Sequence, residues 1–363
     1  MTKPTTNCQL WAALRRRGAL TLCLILCTLG LGISVSAKGP TIITFDAPVP
    51  NSRGINIFSN NALGAIIGLY YDENFAQHGF LRTPNGTFTA IDVPGAGTGF
   101  LQGTAPVGLS DLGVVTGNYW DLNGVSHGFI RTPGGAFTTV DPTGSTGTNV
   151  TGINLAGAIG GNYNDASGVS HGFLRTPDGR LTTFDAPGAI AANGGTGVAG
   201  GLTLLGSISG YYGDADNVVE GFVRSPSSKF ITIVDPTAGT VSGAGQGTQP
   251  IFISPIGALT GVYVDSSGTL HGFLRTVEGE FTTVDPPGTG FTAPQGINLF
   301  GAIVGYYFGP SGEQGFLRTP DGTYTTITPP GAGATIPSAI NVAGEIVGTY
   351  FDSNGGHGFL YIP

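Results

Sequence analysis

Glycine and proline account for 64 and 24 of the 363 residues, and only 10% are charged, less than half the share of an ordinary soluble domain. That composition excludes a helical enzyme, while 21 Phe and 12 Tyr supply the large buried groups that a disordered chain lacks. The formal net charge is −8 with few, scattered cations, which excludes a nucleic-acid partner because phosphate binding needs a basic face.

The chain opens with Arg15, Arg16 and Arg17 ahead of an apolar run from Gly18 to Val35, closed by the small-residue triplet Val35-Ser36-Ala37. This is the pattern of a signal peptide over residues 1–37, with a mature protein of one domain, 38–363. Secretion, to the exterior, the periplasm or the cell surface, is expected, with no membrane span after cleavage. Cys8, Cys23 and Cys27 all leave with the signal, so the mature chain has no disulfide and no thiolate metal ligand. It keeps ten cations against 22 acids, a net of −12.

Past the signal, Thr41 to Asp46 reads as a strand without a hairpin partner before it. The string HGFLRT then begins at His78 and returns, with variation, at His127, His171, Glu220, His271, Gln314 and His357. Each copy follows a turn of the form Asn/Ser/Thr-x-x-Gly, starting at Asn61, Ser110, Asn154, Thr203, Ser254, Asn298 and Asn341, by 16 or 17 residues. A strand such as TFTAID follows each of the first six. Every unit thus reads as four strands: a, the turn, b, a polar turn, c (HGFLRT), a Thr-Pro-x-Gly hairpin, then d.

Four-stranded units at a period in the forties predict a β-propeller, since a β-solenoid has much shorter rungs. The last copy ends at Pro363 without a strand d, and the first strand has no c. Together they complete one unit, and joining them leaves no open edge. The expected fold is all-β: a seven-bladed β-propeller of four-stranded antiparallel blades, closed by the N-terminal strand pairing with the C-terminal blade. A monomer is expected.

The pattern HGFxRT followed by DGxFTTxDxPGA resembles the extracellular HAF repeat family, here with Gly in the middle of the tripeptide. The resemblance spans nearly all of the mature chain. It implies secretion and a propeller-like repeat fold, and carries no assigned activity.

All five histidines of the chain occupy one repeat position. His78 and Asp92, His127 and Asp141, His171 and Asp185, and His271 and Asp285 are each 14 apart, which makes them cross-strand neighbours on the c–d hairpin. His357 has Asp46 of the first strand as its partner. A pair repeated around a ring is read as structural, fixing register by a charge-assisted hydrogen bond. No catalytic residue, metal ligand or cofactor is assigned. Arg82, Arg131 and their equivalents stand opposite Phe88, Phe137 and equivalents, as cation–π supports.

Strand b carries a constant Tyr (Tyr70, Tyr119, Tyr163, Tyr212, Tyr263, Tyr307, Tyr350), read as packing between units. The next position varies, and six of the seven copies then place an Asp. Asp214 and Asp216 read as a plain turn rather than a calcium loop. The candidate ligand-binding residues are Trp120, Asp121, Tyr71, Asp72, Phe308, Phe351 and Asp352, on the face that bears the b–c and d–a loops. Aromatic and acidic groups around a shallow rim suit sugars. The function expected is non-enzymatic recognition or scaffolding, toward an extracellular glycan or a surface protein. The alternative is a carbohydrate-active hydrolase or lyase on the same scaffold, which needs two carboxylates in unlike environments.

Overall fold

The computed structural model describes residues 39–310 and 312–363; the signal-peptide reading falls outside them. The described chain is all-β, with one 3-10 turn at Ala191–Asn193. No helix in it is long and apolar enough to cross a membrane.

The first unit shows how the sequence makes the fold. Strands a (Ile55–Asn60), b (Ile66–Tyr71), c (Gln77–Arg82) and d (Phe88–Ile91) pair antiparallel in that order. Each turn is closed by its own polar side chain. Asn61 Oδ1 accepts from the amides of Leu63 and Ala65, with Gly64 at φ +76° ending the turn. Asp72 Oδ1 accepts from the amides of Asn74 and Ala76, an Asx turn that fixes the b–c connection. The same pairing recurs along the chain. In the last unit Ala334–Ile340, Ile346–Asp352 and Gly355–Ile362 are joined by the chain's first strand, Thr41–Phe45, in register from Thr41 opposite Ile362 to Phe45 opposite Gly358.

Strands a and c run toward one end, which carries the a–b and c–d turns and the repeated arginines. Strands b and d run toward the other, which carries the histidines. Every strand a contains a bulge, as between Ile57 and Ser59 or Pro106 and Gly108. A bulge on an edge strand blocks pairing with a foreign strand.

The core lies between successive units. Phe80, Phe129, Phe173, Phe222, Phe273, Phe316 and Phe359, the aromatic of each HGF copy, are all fully buried. Truncating one to Ala costs about 3–5 kcal/mol. Phe80 and Tyr70 pack on Val347 and Leu360 of the last unit, and Ile57 donates its amide to Thr349 Oγ1 at 3.1 Å. The middle glycine of the tripeptide is required by this packing. A Cβ at Gly79 would sit 2.9 Å from the Pro106 ring of the next unit, and one at Gly272 equally close to Pro294. The Asn side chains of the a–b turns also reach across: Asn61 donates to the Ser110 carbonyl, Asn154 to that of Thr203 and Asn298 to that of Asn341.

Candidate functional site

The histidine end concentrates chemistry. Of the 22 acids, 16 lie there with Arg53 as its one described cation; the other eight described cations and six acids lie at the arginine end. His78 Nδ1 is 3.1 Å from Asp92, His127 2.7 Å from Asp141, His171 2.7 Å from Asp185 and His271 2.6 Å from Asp285, and His357 bonds Asp46.

Each imidazole also faces a second carboxylate. Its Nε2 points at the Asp that ends strand b, 3.0 Å away for His357 and Asp352, 3.4 Å for His171 and Asp165, 3.5 Å for His271 and Asp265, and 3.8 Å for the pairs with Asp72 and Asp121. The constant Tyr stacks on the same ring, with centroids 5.0–5.2 Å apart, and reaches its neighbour unit with the rest of its surface. Its role is therefore wider than the inter-unit packing expected from the sequence. Burial opposes protonation of His171, His271 and His357, but the two flanking carboxylates outweigh it and raise each above the ordinary 6.5. The Ser267 hydroxyl and the Thr269 amide hold Asp265 down to about 2.

Two units lack the histidine, and in both the constant Tyr bonds the residue that replaces it. Tyr212 donates its hydroxyl to Glu220 at 2.6 Å and Tyr307 donates to Gln314 at 2.6 Å. Burial first, then Glu220, pushes the Tyr212 phenol up to about 12. Asp235 does not pair with Glu220: it is buried and caps the following turn through Thr237.

The candidate binding residues lie at one level but in different units. Trp120 and Tyr71 are half-buried, Phe308 and Phe351 exposed. Tyr71 lies 3.3 Å from the Asn56 amide nitrogen, whose bond its hydroxyl accepts. Phe308 packs edge-on against Phe291. Asp72, Asp121 and Asp352 each commit Oδ1 to closing the b–c turn and present a carboxylate oxygen to the histidine.

A polar pocket of about 300 Å³ opens instead between the third and fourth units. It is lined by Asn149, Asn162, Ser170, Asn193 and Tyr211, with Gly197 and Gly213 at its walls. Glycine lets the lining close in: Gly197 and Gly213 stand where the second unit carries Ala105 and Trp120, and a Cβ would sit 2.9 Å from the Tyr211 ring at the first and 3.0 Å from Asn193 Cβ at the second. Asn149 is oriented by Asn118, which donates to its Oδ1 at 3.0 Å, and Asn162 donates to Ser170 Oγ at 3.2 Å. Among the described residues the Tyr211 hydroxyl has no hydrogen-bond partner. Among the described residues no Asp or Glu lines the pocket. Sequence reading passed over these residues, although Gly213 at the variable strand-b position was the available signal. A second cavity, of about 250 Å³, is lined by strand a of every unit, including Ser59, Gly108, Gly152, Gly296 and Ala339.

No family model and no curated protein matches the chain. Solved structures do. Virginiamycin B lyase from Staphylococcus aureus is 14% identical, with a TM-score of 0.55 over 89% of this chain and 100% of its own. The β-propeller domain of the trilobed protease from Pyrococcus furiosus is 9% identical, with a TM-score of 0.58 over 85% and 95%. The BP39L lectin from Burkholderia pseudomallei is 12% identical, with a TM-score of 0.54 over 86% and 96%. At such identities the likeness concerns the fold, a β-propeller, which hosts binding and catalysis alike.

Proposed function

We propose that the chain is a secreted, non-enzymatic recognition protein: a seven-bladed propeller, closed by Thr41–Phe45 on Gly355–Ile362, that binds a saccharide in the pocket between its third and fourth blades. The strand pairing, the shared core of first and last units and the cavity lined by every strand a support the closed ring. The pocket carries the functional reading. Its amides and hydroxyls donate to and accept from sugar hydroxyls, and the Tyr211 ring offers an apolar face beside them.

The same pocket argues for binding rather than turnover. Glycoside hydrolysis needs two carboxyl groups across the scissile bond, and this site is lined by none. Most acids of the histidine end, such as Asp72 and Asp92, are committed to turns or imidazoles and repeat around the chain; Glu73, Asp216, Glu220 and Glu313 stand apart from that pattern. Trp120 shares strand b of the second unit with Asn118, which holds Asn149, so it would extend the contact surface one unit along.

A glycan array probed with the mature protein tests the reading, with a hydrolysis assay on every hit. Binding without turnover supports it. Release of cleaved product would instead favour the carbohydrate-active enzyme.

A further inference from the structure

The end opposite the histidines has an unusual surface. Each Asn/Ser/Thr-x-x-Gly turn needs only its first residue, to accept the turn amides, and its glycine, to take positive φ. The two positions between are free to be polar. Yet Leu63, Leu112, Leu155, Leu205, Ile256 and Phe300 occupy them in the first six units, all between 49% and 84% exposed. Val342 does the same in the last unit, and Leu204 adds a second residue to the fourth. Large apolar side chains at the tip of every turn make a crown around the cavity lined by strand a. Exposed apolar side chains gathered on one face in this way mark an interaction site.

We propose that a second copy of this chain covers the crown, the two docking face to face through their a–b turns. Charge permits this occupant at this end and not at the other. The histidine end carries 16 acids against one described cation and repels its like, whereas the arginine end carries eight described cations against six acids and lets two copies approach. That near balance gives an anionic bilayer surface little to attract, since lipid docking of apolar side chains is usually reinforced by a basic cluster.

Area agrees. At roughly 150 Å² per side chain, the low end of the aromatic range, the exposed fractions of the crown offer on the order of 700 Å², close to the amount a standard interface buries on each partner. A two-fold axis lying between the two crowns makes the contact isologous, the arrangement common in homodimers. This inference goes beyond the saccharide reading, uses a different end of the molecule and replaces the monomer expected from the sequence with a dimer.

Sedimentation and light scattering on the mature protein test it, with Leu112→Asp/Leu205→Asp as the variant. The wild type is expected at twice the monomer mass at micromolar concentration. The variant is expected as a folded monomer with a cooperative melt and an unchanged glycan-array profile. A monomeric wild type overturns the proposal, as does a dimer that survives the double substitution. Flotation with vesicles of zwitterionic and of anionic lipid is run alongside, and crown-dependent binding to either overturns it in favour of a bilayer. If the array is blank but the dimer is present, only the saccharide reading fails.

Discussion

Asn341 donates its side-chain amide to the main-chain carbonyl of Asn61, 3.0 Å away and 280 positions earlier in the chain. The bond repeats between last and first units the contact that Asn61, Asn154 and Asn298 make to the unit that follows each of them. Both residues are buried. Replacing Asn341 with Ala leaves a buried carbonyl without its donor and is expected to cost about 1–3 kcal/mol, besides opening its own turn. Ser254→Ala is the control, because that hydroxyl caps only its own turn. Urea denaturation of both variants checks this: equal losses would deny the inter-unit bond any worth.

Stability should fall on both sides of a mildly acidic plateau. His171, His271 and His357 have raised values in the fold. Their contribution is complete below the ordinary 6.5 and disappears as pH rises through the raised value. Asp121, Asp165, Asp265 and Asp352 are lowered, Asp265 to about 2. Theirs is present above the ordinary 3.8 and is lost as pH falls toward 2. Melting temperature against pH measures both limbs, and His271→Gln with His357→Gln should flatten the alkaline one. An alkaline limb untouched by these substitutions would place its origin elsewhere.

Gly272→Ala is expected to destabilise by about 1–3 kcal/mol, the usual cost of forcing atoms into a filled core, since its Cβ would press on Pro294. Gly290, with nothing within 4 Å of a Cβ, should accept Ala at no loss. Thermal melts of the two variants separate close packing from loss of glycine itself.

How much was legible follows from which interactions are local in sequence. The 14-residue offset of His78 and Asp92 is the index of a hairpin, so the pair could be read without coordinates. The second carboxylate on each histidine was not read, because Asp72 reaches His78 only once the Asx turn after strand b is drawn. The pocket was missed for a different reason. Its walls come from Asn149 and Asn162 of one unit and Tyr211 of the next, and a repeat alignment compares units without saying which side chains face each other. The apolar turn residues were plain in the sequence. Their exposure was not, since Leu63 stands two positions from the buried Asn61.

Calorimetric titration of the protein with its array hits, wild type against Asn162→Ala and Tyr211→Phe, tests the recognition claim most directly. Loss of one hydrogen bond to a bound sugar, about 1 kcal/mol or more, predicts an affinity weaker by about fivefold or more in each variant; Tyr211→Phe should keep its melting temperature, and Asn162→Ala, which also gives up its bond to Ser170, should keep a cooperative melt. Affinity equal to the wild type in both variants would contradict saccharide recognition in this pocket.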